Sequence, residues 1–91
     1  MLKIVYTKKF QRDLFEIQSY IWEDSVFYSL KVLNNIQSTI NILKDFPKIG
    51  IVIEEETRFI IEKNYKYKIV YELKWGIIYI LSVYKYKNSW E

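Results

Sequence analysis

Cysteine and histidine are both missing from this chain, and proline and glycine are nearly so, at one and two copies. Without cysteine there can be no disulfide, zinc ribbon or thiol nucleophile. Without histidine the usual general base near neutral pH is gone, and so is the commonest metal ligand. Any chemistry therefore falls to Lys, Arg, Tyr, Glu, Asp or Ser. Nucleophile–base pairs, glycine-rich phosphate loops and metal-ligand spacings do not occur, and no cofactor is expected. Glu54-Glu55-Glu56 has no second acidic cluster to accompany it, so it reads as a solvated loop rather than a metal site. Long hydrophobic runs are also lacking. Gly76 to Val83 is too short to span a bilayer, and Met1 to Tyr6 lacks the apolar stretch of a secretory signal. A soluble cytoplasmic protein with no membrane partner is the expectation.

What remains is a 91-residue chain, 51% hydrophobic and 19% aromatic. That suffices for one domain and one core, spanning residues 1–91, and is too little for two. A chain this small without disulfides or metal depends on dense packing and often on a partner. The formal charge is +3. The basic residues are almost all lysine, beside many Ile, Asn and Tyr, a drift expected of an AT-rich genome.

Leu2 to Tyr6 alternates loosely, as a short first strand would. Thr7 can cap a helix whose apolar residues Phe10, Leu14, Ile17 and Ile21 recur at helical spacing, giving a helix over Thr7 to Trp22. Asp24 or Ser25 can cap a second helix, with a stripe of Leu30, Leu33, Ile36, Ile40 and Leu43 running up to Phe46-Pro47. Pro47 disfavours helix in the residue before it, so Asp45 to Gly50 is a strong stop. Beyond it the pattern turns β-branched and aromatic. Arg58 to Lys63, Tyr67 to Lys74 and Ile77 to Tyr86 read as strands, with Asn64-Tyr65-Lys66 and Lys74-Trp75-Gly76 as their connections. The predicted order is β-α-α-β-β-β, an α+β fold with the helical hairpin on one face of a mostly antiparallel sheet. The nearly continuous apolar run from Ile77 to Val83 belongs inside that sheet, next to the N-terminal strand as well.

Positive charge concentrates in the sheet half, in Arg58, Lys63, Lys66, Lys68, Lys74, Lys85 and Lys87, against Glu62 and Glu72 alone. By alternation Lys66 and Lys68 share one side of their strand, opposite Tyr67, Ile69 and Tyr71. Lys85 and Lys87 repeat the pattern beside Tyr84, Tyr86 and Trp90. Lysines with interleaved aromatics suit an anionic partner, either nucleic acid or an acidic protein segment. They equally suit plain solvent-facing strand positions. A nucleic-acid cleaver made of these residues would stabilise a pentacovalent phosphate with Lys or Arg and trade protons through Lys or Tyr.

Phe10-Gln11-Arg12-Asp13-Leu14, Ile17 and Tyr20 to Ser25, then a helix closed by Leu43 to Gly50, together resemble the RelE/ParE toxin superfamily. Arg58-Phe59, Tyr67 to Leu73 and Ile78 to Val83 extend the resemblance over the whole chain. It implies the toxin of a type II toxin-antitoxin pair, neutralised by a cognate antitoxin that wraps its helices and groove, with an oligomeric complex. ParE-like members poison DNA gyrase, and RelE-like members cut mRNA on the ribosome. Lys68 stands where the RNA-cutting branch has an arginine, keeping the charge without the bidentate fork. Arg58 matches a basic position, and Lys85 stands near a usual His or Lys. Ile60 falls where the ribonucleases keep a lysine, Tyr86 where a second arginine is common, and Trp90 replaces a tyrosine and cannot take a proton. The candidate catalytic residues, if the protein is an enzyme, are Arg58, Lys68 and Lys85. Lys66, Tyr86, Lys87 and Trp90 are candidate contacts to the target or to nucleic acid. Trp22, Phe27 and Tyr28 exceed what the helix stripes need, so they either fill the core or receive the antitoxin. Tyr20-Ile21 and Pro47 to Gly50 favour the ParE branch with gyrase as target. The alternatives are a metal-independent, ribosome-dependent endoribonuclease and an inactive family member.

Overall fold

A computed structural model describes residues 2–85. Its order is β1 (Lys3–Tyr6), α1 (Lys8–Trp22), α2 (Val26–Ile42), β2 (Ile51–Glu54), β3 (Thr57–Glu62), β4 (Tyr67–Lys74) and β5 (Ile77–Lys85). The five strands form one sheet ordered β1-β5-β4-β3-β2. Only β1 and β5 run parallel; the other neighbours are antiparallel. The α+β expectation holds, and β5 lies between β1 and β4 as its apolar run requires.

Both helices start where small hydroxyls can cap them. Thr7 accepts from Phe10 N at 3.2 Å and donates to the Ile80 carbonyl at 2.7 Å, tying the α1 start to β5. Ser25, rather than Asp24, caps α2 by accepting from Tyr28 N at 3.1 Å. The α1 stripe is as expected, with Phe10 and Ile21 buried and Leu14 and Ile17 half-buried. The α2 stripe holds at Ile36, Ile40 and Leu43 but is shifted at its start. Its buried face is Ser29, Val32, Ile36 and Ile40, while Leu30 is 48% exposed. Seven residues are nearly two full turns, so Ser29 lies under Ile36, whereas six carry Leu30 about a third of a turn away. The small Ser29 side chain, wholly buried, lets the two helices approach, its hydroxyl reaching the Gln18 carbonyl at 3.5 Å.

The second helix also ends sooner than its stripe suggested, at Ile42. Beyond it the backbone tightens, with Leu43, Lys44 and Asp45 each bonding three residues back. That is how a helix winds down when the residue before a proline resists the α region. The short strand β2 was not anticipated; the acidic run is the turn between β2 and β3, with Glu55 at φ 41°. Trp75 and Gly76, at φ 54° and 71°, make the two-residue hairpin that the last two strands require.

The core lies between the hairpin and one sheet face, where Ile69, Tyr71, Ile78 and Ile80 meet Val32, Ile36, Ile40 and Leu43. Within it Tyr71 is wholly buried, donates to the Pro47 carbonyl at 2.7 Å and accepts from Gly50 N at 3.0 Å. A side chain at position 50 cannot fit, since an added Cβ would lie 2.5 Å from the Tyr71 oxygen. At the far end of β3 the buried Glu62 carboxylate accepts from Asn64 N and Tyr65 N, both at 2.9 Å, and shapes the turn into β4.

Tyr71→Phe leaves the Gly50 N–H and the Pro47 carbonyl unsatisfied, and urea unfolding should show a loss of about 1–3 kcal/mol. Burial also pushes the Tyr71 and Tyr67 hydroxyls above their ordinary pKa of 10.0. Their contribution to stability is then fully present below the unfolded value and is lost as pH rises through the folded one. Unfolding midpoints measured across this range should fall on the alkaline side, less steeply for Tyr71→Phe.

Candidate functional site

Strand alternation decides which basic groups meet. Lys68 pairs in register with Ile61 on β3 and Tyr84 on β5, so all three project from the sheet face away from the helices. There its ammonium lies 4.1 Å from the Phe59 ring centre and 5.8 Å from that of Tyr84. Such contacts hold a cation by the ring quadrupole while leaving its charge unneutralised.

The other two catalytic candidates lie elsewhere. Arg58 is opposite Tyr71 and faces the helical side, where its guanidinium donates to the carbonyls of Lys48 at 3.2 Å and Gly50 at 3.1 Å. Together with the Tyr71 hydroxyl it fixes Pro47 to Gly50 from both sides. Lys85 is opposite Tyr67, again on the helical side, with its ammonium over the Tyr67 ring at 4.9 Å and donating to the Tyr65 carbonyl. Arg58, Lys68 and Lys85 therefore do not converge on one point. Lys66 has left the strand alternation: it sits in the turn before β4 at φ 63°. Tyr86, Lys87 and Trp90 lie outside the described residues.

A groove of about 660 Å³ runs between α1, the start of α2 and the ends of β4 and β5. Ile17, Tyr20, Tyr28, Tyr67 and Val83 give it an apolar lining, and Asp13, Glu16 and Lys85 place charges along it. Asp13 is held by Lys9 at 2.8 Å and accepts from Val83 N at 3.3 Å, which anchors α1 over β5.

Trp22 and Phe27 stand at the hairpin tip, 47% and 69% exposed, so they do not serve the core. Tyr28, also exposed, packs edge-on to Tyr65 with ring centres 5.2 Å apart at the end of the groove. Phe15 and Tyr20 on α1 are exposed as well, at 67% and 78%, and neither is among the contact residues expected from the sequence. A signal for them existed: both fall off the Phe10, Leu14, Ile17 and Ile21 stripe, on the side a helix gives to water.

A family model for the ParE toxin of the type II toxin-antitoxin system, parDE, matches residues 4–90. Among solved structures, the chromosomal ParDE system from P. aeruginosa superposes with a TM-score of 0.82 at 19% identity, over 96% of this chain and 98% of that one. The intact E. coli RelBE toxin-antitoxin complex gives 0.67 at 12% identity, over 97% and 100%. The isolated E. coli RelE toxin gives 0.69 at 13%, over 98% and 88%. A search of curated proteins finds no match. At such identities the structural likeness speaks for the fold, which is that of the RelE/ParE superfamily. Within it, the chain belongs to the ParE toxin family of type II toxin-antitoxin systems.

One guanidinium nitrogen of Arg58 serves both carbonyls, so Arg58→Met, which keeps the stem and removes every donor, tests the clamp. Thermal or urea unfolding should show a loss of about 1–2 kcal/mol. An unchanged midpoint would contradict the clamp.

Proposed function

We propose that this chain arrests growth by binding DNA gyrase through the open sheet face around Phe59, Lys68 and Tyr84 and through Tyr86, Lys87 and Trp90, which follow β5 in the sequence. Its cognate antitoxin lies in the groove and over the hairpin tip, against Tyr20, Trp22, Phe27 and Tyr28. The observation that carries contact over cutting is the separation of the basic candidates. Arg58 and Lys85 face the helical side, donating to two backbone carbonyls and to one, while Lys68 is the one of the three that projects from the other face. Phosphoryl transfer needs cationic groups gathered on one phosphate and a proton carrier within hydrogen-bond reach. A protein surface asks only for a cation and aromatic rings side by side.

Family membership supports the same reading. Membership in the ParE toxin family fits the gyrase-directed branch of the resemblance. An amphipathic antitoxin segment suits the groove, whose apolar lining is bordered by both signs of charge, Lys9 and Lys85 with Asp13 and Glu16.

Purified chain should inhibit gyrase-catalysed supercoiling at micromolar concentration, and Lys68→Ala should weaken that inhibition about tenfold. Full supercoiling in micromolar excess of toxin would sink the gyrase assignment, and transcript ends mapped by primer extension after induction would then point to mRNA cleavage. On the antitoxin side, Tyr20→Ala with Phe27→Ala should raise the dissociation constant by about 10–100-fold in titration calorimetry. Both residues are exposed, so the fold should be kept.

A further inference from the structure

The outer edge of β2 is short and bulged, yet it leaves its apolar side chains in water. Terminal strands are commonly blunted by lysine or proline, or covered by another element. Here Ile51, Val52 and Ile53 are 63%, 53% and 49% exposed, and β2 is the last strand of the sheet. Phe46 and Ile49, just before it, are 62% and 55% exposed and extend the apolar surface. No residue of β2 or β3 lines the groove between α1 and the ends of β4 and β5, so this surface is separate from the proposed antitoxin site.

Charge identifies an occupant. The segment reads Phe46-Pro47-Lys48-Ile49-Gly50-Ile51-Val52-Ile53-Glu54-Glu55-Glu56, basic at its start, apolar in the middle and acidic at its end. The pairing of β2 with β3 slips by one residue at Ile53, so the regular stretch centres on Ile51 and Val52. Laid antiparallel against itself with the twofold axis at Ile51, the segment brings the turn that carries Lys48 toward the end of β2 where Glu54 of a second copy stands. An axis nearer Val52 brings that turn toward the Glu55-Glu56 turn of the second copy. Each such approach occurs twice by symmetry. Parallel pairing would instead set lysine beside lysine and three glutamates beside three glutamates.

We propose that β2 pairs antiparallel with β2 of a second copy of this chain, continuing the sheet through a twofold axis near Ile51 and Val52. Backbone hydrogen bonds supply the attraction, the exposed isoleucines and valine are partly covered, and Lys48 with Glu54 to Glu56 fixes the direction. The arrangement is closed, because the one edge is used on both copies. It does not depend on the identity of the toxin's target.

Sedimentation velocity of the purified full chain, from about 1 to 100 µM, tests this over the affinity range of modest interfaces. A monomer–dimer equilibrium is expected, with amides of residues 51–53 gaining hydrogen-exchange protection as concentration rises. Val52→Lys should abolish the dimer. Because a core-neutral surface change is the safer probe, Lys48→Glu should weaken dimerisation about tenfold, and adding Glu54→Lys, Glu55→Lys and Glu56→Lys should restore it. A chain monomeric throughout would overturn the proposal, as would a dimer indifferent to Lys48→Glu and Val52→Lys, or growth beyond the dimer. So would a complex in which the antitoxin, rather than a second toxin, protects residues 51–53.

Discussion

Tyr71 sits on the middle strand of the sheet, out of water, with its hydroxyl donating to the Pro47 carbonyl and accepting from Gly50 N. A buried phenol without partners would be costly, and two unpaired backbone groups beside it would add to that cost. The three groups satisfy one another only if the chain leaving α2 passes directly over the sheet. That requirement explains the glycine at position 50, where a Cβ would meet the Tyr71 ring and hydroxyl. It explains Arg58 as well, since the residue in register with Tyr71 on β3 takes the carbonyls of Lys48 and Gly50 that the phenol leaves over. The loop so fixed determines where the hairpin stops and where β2 begins.

The second constraint is a bulge. Val70 pairs with Ser82 and Tyr71 with Ile80, so Leu81 is an extra residue in β5. One added residue reverses the parity of everything after it. Ile78 and Ile80 face the helices; without the bulge Ser82 and Tyr84 would follow them there and Lys85 would point outward. With it, Val83 completes the core, Lys85 turns toward Tyr65 and Tyr67, and Tyr84 comes to the open face beside Lys68. The separation of Lys68 from Lys85 is therefore a backbone effect.

This marks how far the sequence could be read. Helix positions, caps and the Trp75-Gly76 hairpin were legible, because each depends on neighbours within a turn or two of chain. The α+β class followed from the switch of periodicity after Gly50. Strand β2 was not legible: three β-branched residues before an acidic run carry no alternation, and the strand exists because Arg58 and Tyr71 hold its start against β3. The α2 stripe was read correctly at Ile36, Ile40 and Leu43 but one position late at its start, where Ser29 and Val32 are buried in place of Leu30 and Leu33, because close helix packing selected the small side chain. Among the site residues, Lys68 could be assigned a face by alternation, but Lys66 had turned at positive φ and Lys85 lay past the bulge. The turn that follows Glu62 decided the first, and long-range register, which no local pattern encodes, decided the second.

The same geometry bears on how a bound segment could silence a toxin. Tyr84 projects to the open sheet face with Lys68, yet it also lines the groove with Tyr20, Tyr28 and Lys85. It stands at the rim where the two surfaces meet, so a chain laid along the groove reaches the edge of the face without crossing the sheet. On the proposed reading, neutralisation then needs no conformational change in the toxin: occupancy of the groove covers Tyr84 and crowds Lys68. The exposed aromatics of the hairpin contribute little to the stability of the free chain, because their surface stays in water. Covered by a partner they add stability through linkage, as any ligand that binds only the folded state does. A small core with large rings left outside is thus consistent with a domain completed by the protein that inhibits it.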